Sequence, residues 1–137
     1  MQKAFLTPLL RNRSGPHRLV NARNGAVLAD RLGSAFDSKS RRTGLLGRSD
    51  FEDGEALVIA PSNSIHTFFM RFSIDVVFAR RDGSVVSVRH AVKPWRLAAS
   101  PRAYLVIELP AGTLARTQTR GGDRLTISPP SESSERS

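Results

Sequence analysis

The chain contains no cysteine, and this absence removes several kinds of chemistry at once. Disulfide bridges, thiolate zinc sites and cysteine nucleophiles are all excluded. Long apolar runs are also missing, because no stretch approaches the ~20 residues that cross a bilayer as a helix. The short apolar segment at residues 4–10 is interrupted by Thr7 and Pro8, and no small-residue cleavage site follows it. We therefore expect a cytoplasmic protein without a membrane span.

Lysine is scarce, with Lys3, Lys39 and Lys93 among 21 basic residues, so arginine carries most of the net charge of +9. Arginine binds phosphate and carboxylate groups better than lysine does. The excess indicates a surface for nucleic acid, phospholipid or acidic protein, or else only a compositional bias. Helix-turn-helix, zinc-finger and aromatic-basic repeats are missing, so we expect no specific nucleic-acid binding. Non-specific nucleic-acid binding through the arginine-rich surface stays an alternative.

A length of 137 residues suits a single folded domain. We predict a flexible N-terminal arm over residues 1–17, one globular domain over residues 18–128 and a disordered tail over residues 129–137. Asn24-Gly25 lies between two short apolar runs and predicts a hairpin, because both residues tolerate positive φ. Ser34 is a candidate cap for a main helix that ends near Gly47. A second, shorter helix is expected over residues 112–120.

The remaining pattern is that of β-strands, and it predicts an α+β fold. We expect a mainly antiparallel sheet, strongly curved or barrel-like, with one main helix packed on it. A hairpin at Asp82-Gly83 should pair Val77 with Val88 and Ala79 with Val86, and it should be buried on both faces or have its outer face covered by a helix. Strands are predicted at residues 18–21, 26–29, 56–60, 65–70, 76–80, 84–89, 104–109 and 124–128.

Several short motifs, taken together, resemble one known family. They are GLLGR at residues 44–48, IHTFFMRFSIDVVF at 65–78, KPWR at 93–96, ELPAG at 108–112 and Gly-Asp at 122–123. In this order and spacing they are similar to the domain of unknown function 192 family over residues 19–127. The resemblance implies a compact β-rich, barrel-like domain with a helix, but no established activity and no catalytic residue. Relatives often carry a cysteine just before the Ile-His-Thr-Phe-Phe-Met block, whereas this chain has Pro-Ser-Asn-Ser at residues 61–64.

A polar site at one end of the sheet is our leading hypothesis for function. We predict a binding or accessory domain rather than an enzyme, a small anionic ligand or an acidic protein as partner, no cofactor, no metal, and a monomer or weak dimer. Phe69 is out of phase with the apolar positions around it and is a candidate surface contact. The candidate ligand-binding residues are His66, Arg71, Asp75, Trp95, Arg96 and Glu108.

Each of these residues also has an alternative interpretation. A hydrolase could use His66 with Asp75 or Glu108, although the sequence contains no nucleophile elbow. Asp75 could instead form an ion pair with Arg71 or cap a turn. Trp95 could be a stacking platform next to Arg96, or a plug that closes one end of the sheet.

Overall fold

The structure is a computed structural model that describes residues 5–11, 17–43, 45 and 48–129. These residues contain nine strands and three helices of five or six residues. No helix in this part of the chain is long and apolar enough to cross a membrane. In chain order the elements are α1 (Thr7–Arg11), β1 (Arg18–Asn21), β2 (Val27–Ala35), α2 (Ser38–Thr43), β3 (Gly54–Ile59), β4 (Ser64–His66), β5 (Ile74–Ala79), β6 (Val85–Val92), β7 (Leu97–Ala99), β8 (Leu105–Pro110), α3 (Thr113–Thr117) and β9 (Leu125–Ser128).

Seven of the strands form one sheet in the order β6-β5-β8-β3-β2-β1-β9, and β4 pairs with β7 in a separate ribbon. Neighbouring strands are antiparallel except for β2 and β3, which are parallel. The predicted α+β class and the mainly antiparallel pairing are therefore confirmed.

The described strands do not form a closed barrel, which corrects the barrel-like prediction. The edge strands β6 and β9 approach each other only where β6 begins, through a single bridge between Ser84 and Arg124. The amide of Val85 donates to the carbonyl of Asp123 at 2.7 Å at the same place. Along the rest of its length, β6 is paired only with β5, so one end of the sheet is joined and the other stays open.

Both faces of the central strands are covered, because β5 and β8 are buried at all six of their positions. Val77 and Ile107 belong to one apolar cluster, whereas Val76 and Val106 belong to a second cluster on the other face. The ribbon of β4 and β7 packs on the second cluster through Ile65 and Ala98. The prediction that the β5–β6 hairpin is buried on both faces holds for β5 but is wrong for β6, in which only Val85 is buried and residues 89–91 are exposed, because β6 is an edge strand.

A bulge changes the predicted register of this hairpin near its turn. Val77 pairs with Val88 as expected, but Ala79 pairs with Val85 instead of Val86. Val85 therefore joins the same cluster as Val77 and Ala79. A bulge places one extra residue in one strand and reverses the faces of the residues beyond it.

The predicted main helix over residues 34–46 is wrong in its first half. Leu32 and Ser34 lie in β2, which continues to Ala35 because it pairs in parallel with β3. Among the described residues of this region only those of α2 are helical, and the predicted helix end at Leu46 and Gly47 lies outside the described residues. Pairing with a distant strand outweighs a local helical pattern.

The N-terminal segment is not free of the domain in the residues that the structure describes. Phe5, Leu6 and Leu9 are 2–8% exposed and belong to the first apolar cluster. The amide of Phe5 also donates to the carbonyl of Arg81 at 3.1 Å. Residues 5–11 thus pack against the sheet, which corrects the expectation of a flexible arm there. Residues 1–4, 12–16 and 130–137, which carry the rest of the predicted arm and tail, lie outside the described residues.

Candidate binding surface

Thr67 joins two loops that carry most of the predicted site. Its side chain is fully buried. Its hydroxyl group donates to the carbonyl of Lys93 at 2.6 Å and accepts from the amide of Arg96 at 2.9 Å. Its backbone carbonyl accepts from the amide of Trp95 at 2.9 Å. The loop that follows β4 and the loop that precedes β7 are therefore held together by one small polar residue.

A turn follows Thr67, so the predicted strand over residues 65–70 is observed only as β4. The amide of Met70 donates to the carbonyl of Thr67 at 3.2 Å and closes this turn. Phe69 lies in the turn with φ at 66°, and Trp95 in the facing loop has φ at 68°. Such a backbone is strained for a bulky residue, by ~1–3 kcal/mol. Both strained residues present large apolar side chains to solvent, since Phe69 is 69% and Trp95 is 56% exposed.

Four rings from the two loops are arranged in a contiguous series. The ring of His66 stacks on Phe68 with centroids 4.9 Å apart, and Phe68 stacks on Trp95 at 5.8 Å. Phe69 packs against Trp95 at 4.6 Å with the planes tilted by 59°. Leu97 follows in β7 and is 74% exposed. We call these five residues, His66, Phe68, Phe69, Trp95 and Leu97, the aromatic face.

A groove of about 440 Å³ adjoins the aromatic face on the β4–β7 ribbon. His66 is opposite Leu97 in the ribbon, and Ser64 is opposite Ala99. The groove thus lies along a ribbon with one pair of larger side chains, His66 and Leu97, and one pair of smaller ones, Ser64 and Ala99. Its lining consists of Ser64, Ile65, His66, Leu97, Ala98 and Ala99.

The segments that build this surface contain basic but no acidic residues. Residues 61–74 and 84–104 include five arginines or lysines, and the acids nearest to them in the chain are Asp75 and Asp82. Arg71, Lys93 and Arg96 are all exposed in the two loops that Thr67 joins. The surroundings of the aromatic face thus favour a negatively charged partner.

Asp75, a predicted site residue, is buried, and its carboxylate accepts hydrogen bonds from backbone amides. Its side chain is 1% exposed. One carboxylate oxygen accepts from the amide of Ala91 at 2.8 Å, and the other accepts from Gly112 at 3.1 Å and from Leu114 at 2.9 Å. No salt bridge joins Asp75 to Arg71 among the described residues. Asp75 therefore connects β5 to β6 and to the start of α3.

Glu108 is also buried, but no hydrogen bond to its carboxyl group is found in the described structure. It lies in β8 between Leu57 of β3 and Val76 of β5, and it is 4% exposed. Burial among these apolar neighbours raises the pKa of Glu108 from 4.5 to about 7. The sequence predicts that Glu108 is an exposed site residue at the end of an apolar strand. It instead lies inside β8, which is buried at every position.

Asp123, from the Gly-Asp motif at residues 122–123, connects the segment before β9 to the turn after β1. It accepts from Arg23 Nε at 2.7 Å and from Asn21 Nδ2 at 2.9 Å. The hydrogen bond from Arg23 holds its pKa at about 2, against a smaller opposing effect of burial. No three of the described His, Asp and Glu residues are close enough together to hold a metal ion.

The sequence matches a known protein family over most of its length. The family model for domain of unknown function 192, described as "Uncharacterized ACR", matches residues 20–127. The chain belongs to this family. A UPF0127 protein of Thermococcus sibiricus is 34% identical over 114 residues, covering 78% of this chain and 72% of the relative. A UPF0127 protein of Pyrococcus furiosus is 38% identical over 63 residues, which cover 45% of this chain and 53% of that relative. The matched region thus spans about half the length of the latter.

Two solved structures are similar to this member of the domain of unknown function 192 family. A Sinorhizobium meliloti 1021 protein, described as a candidate transcription regulator, superposes with a TM-score of 0.71 at 23% identity, covering 82% of this chain and 92% of that one. A Novosphingobium aromaticivorans protein of unknown function superposes with a TM-score of 0.67 at 21% identity, covering 80% and 82%. At this level of identity, the similarity shows the fold.

Within this family member, four of the six predicted site residues lie in the two loops that Thr67 joins or beside them. They are His66, Arg71, Trp95 and Arg96, and all four are exposed. Asp75 and Glu108 are buried within the sheet strands β5 and β8. The sequence did not indicate a role for Thr67 or Leu97. A threonine inside an apolar run is typical of an ordinary strand residue, which explains why Thr67 was missed. The Pro94-Trp95-Arg96 motif was the available indication of an exposed loop at Leu97.

Proposed function

We propose that this chain is a binding domain that receives an anionic partner on its aromatic face. One observation supports this most directly: two loops carry large apolar side chains outward on a strained backbone, and the basic residues around them have no acidic neighbours in the same segments. Strained residues persist only where the surrounding contacts hold them, and they are concentrated at functional positions. Exposed apolar surface of this kind is typical of interaction sites.

The arrangement around His66 supports binding more than hydrolysis. His66 Nδ1 accepts a hydrogen bond from the amide of Phe68 at 3.3 Å, and its ring is stacked on the Phe68 ring. The hydroxyl of Ser62 donates to the carbonyl of Ser64 at 2.9 Å instead of to His66. The hydrogen bonds of Asp75 go to backbone amides on other elements. A general base needs a nucleophile and an orienting group within hydrogen-bond reach, and no such pair surrounds His66 among the described residues.

The test uses the fluorescence of Trp95, which is the only tryptophan in the chain and belongs to the aromatic face. The protein is titrated with poly-L-glutamate, with a single-stranded oligonucleotide and with vesicles that contain anionic lipid. We expect at least one of these probes to change the Trp95 emission in a saturable and salt-sensitive way. If none of the three changes it, the proposed function is wrong.

A pair of double variants separates a site from a general charge effect. Arg71→Gln/Arg96→Gln should weaken binding about tenfold, because two rim charges are lost. Arg80→Gln/Arg116→Gln removes the same charge from exposed positions on other elements and serves as the matched control. Arg80 follows the end of β5 that is opposite to the aromatic face, six residues beyond Ile74 or ~20 Å along an extended strand. Equal weakening by both double variants would contradict the proposal.

A further inference from the structure

We propose that the anionic partner is a lipid bilayer surface, and that Phe69, Trp95 and Leu97 insert into its interfacial region. This inference rests on the proposed function and specifies its partner. The three side chains are 56–74% exposed and include an aromatic pair and an aliphatic residue; Phe69 and Trp95 come from the two loops that Thr67 joins, and Leu97 begins β7. Aromatic side chains at the tips of adjacent loops are suited to the headgroup level of a membrane.

The packing of the rings favours lipid over a nucleic acid. Bases bind to proteins by stacking on free ring faces, each of which serves one base. Phe69 lies 4.6 Å from Trp95 with tilted planes, and Trp95 also stacks on Phe68 at 5.8 Å, so part of the ring surface is already in contact with other rings. Leu97, the most exposed of the three, has no ring at all. Insertion into acyl chains needs only apolar surface, which all three residues supply.

The groove favours lipid over an acidic peptide. It adjoins Leu97, and four of its six lining residues are aliphatic, namely Ile65, Leu97, Ala98 and Ala99. A segment rich in carboxylates would leave this apolar surface unfilled and would lose hydration there. An acyl chain can fill it while the phosphate of the same lipid stays near the basic residues.

The charge around the face supplies the second contribution that peripheral membrane binding requires. Stable attachment normally combines an apolar insertion with basic residues near anionic headgroups. Arg71, Lys93 and Arg96 are exposed beside the inserting residues. Each basic residue near an anionic surface strengthens binding about fivefold at moderate salt.

The experiment compares phosphatidylcholine vesicles containing about one-third phosphatidylglycerol with pure phosphatidylcholine vesicles and with poly-L-glutamate. Binding is measured by vesicle sedimentation, and insertion by the emission of Trp95. We expect binding to the anionic vesicles, a shift of Trp95 emission to shorter wavelength, and quenching by lipids brominated on the acyl chain. Pure phosphatidylcholine should bind at least about tenfold more weakly, because the charge contribution is missing.

The double variant Phe69→Asn/Leu97→Asn removes the apolar surface and keeps every charge. Asparagine tolerates the positive φ at position 69, so the loop is expected to keep its shape. We expect vesicle affinity to fall at least about thirtyfold, since two inserting side chains are lost. Binding of poly-L-glutamate, measured in the same variant, should fall by a smaller factor than vesicle binding, because every basic residue is kept while the inserting side chains are lost. Leu10→Asn/Val27→Asn, which alters two exposed apolar residues elsewhere, is the matched control and should leave vesicle binding intact.

The outcomes distinguish this inference from the proposed function. If poly-L-glutamate or the oligonucleotide binds and anionic vesicles do not, the lipid inference is wrong and the proposed function stands. Vesicle binding without an emission shift, or without loss in Phe69→Asn/Leu97→Asn, would show that only charge is involved and would also overturn the inference. If no anionic probe binds, both proposals fail. Circular dichroism and thermal unfolding of each variant exclude misfolding as the cause.

Discussion

Replacing Glu108 by glutamine removes a carboxyl group that lies 4% exposed between Leu57 and Val76. Burial raises the pKa of this group from 4.5 to about 7. In the folded protein it therefore keeps its proton over a range in which the unfolded chain has already lost it. The unfolded state binds fewer protons in that range, so the free energy of unfolding of the wild type falls as pH rises from about 4.5 to about 7.

The magnitude follows from the two pKa values. One pH unit corresponds to about 1.4 kcal/mol, so the difference between 4.5 and about 7 amounts to about 3 kcal/mol. Below the lower value both states are protonated and Glu108 contributes no pH dependence. At a pH above the folded-state pKa, the full destabilisation of about 3 kcal/mol from the buried carboxylate persists. Glutamine has a similar shape and no charge, so Glu108→Gln should be about 3 kcal/mol more stable than the wild type in mildly alkaline buffer and nearly equal to it in acid.

The assay is urea unfolding of both proteins at about pH 4 and about pH 8.5, followed by circular dichroism. Because the other ionisable groups are common to both proteins, their contributions cancel in the difference. Glu55→Gln is a control of opposite sign. Burial tends to raise the Glu55 pKa, but the amide of Glu52 and the guanidinium of Arg48 outweigh it and lower that pKa. Glu55→Gln should therefore destabilise by about 1 kcal/mol at the higher pH. A Glu108→Gln variant less stable than the wild type at about pH 8.5 would refute the reasoning, because it would mean that the fold stabilises the charged carboxylate.

Two further predictions concern the packing of the chain. Phe5→Ala should lower the free energy of unfolding by about 3 kcal/mol, because the Phe5 side chain is only 5% exposed. Leu10→Ala is the control and should change it by less than ~0.5 kcal/mol, because Leu10 is 56% exposed. Equal thermal midpoints for the two variants would show that the N-terminal segment is not packed. Asp75→Asn should destabilise the protein by about 3 kcal/mol in urea unfolding. Asparagine has a single uncharged acceptor oxygen, so it cannot accept from the amides of both Ala91 and Leu114 as the carboxylate does. An unchanged unfolding midpoint would contradict the structural role of this carboxylate.

Local patterns predicted the elements whose conformation depends on neighbouring residues. The Asn24-Gly25 turn joins β1 to β2, with Gly25 at φ 74°, as its residue types indicate. β5 and β8 were identifiable as apolar runs, and their burial on both faces follows from that composition. The helix expected from Ser34 onward failed, because parallel pairing with β3 extended β2 through that position. That pairing joins residues about 24 positions apart, and no local sequence pattern indicates it.

For the candidate site, the residue types indicated which side chains could bind a partner, but they did not indicate which of those side chains are buried. His66, Trp95 and Arg96 are exposed as expected, because they lie in a loop or at the end of a short strand. Asp75 and Glu108 have the same residue types that line functional sites, yet both are buried. Whether a carboxylate at a strand position faces solvent depends on what covers the sheet there, and covering segments come from elsewhere in the chain.

The sequence by itself determined the class of fold, the location of most strands and the net basic charge, because each of these depends on local composition or on backbone preferences. Only the tertiary structure decided how the pieces combine. It brought Thr67 against the loop at Trp95, packed Phe5 and Leu9 against the sheet and enclosed Glu108. These are contacts between residues far apart in the chain, and their free energy comes from burial and hydrogen bonding that exist only after the segments have met.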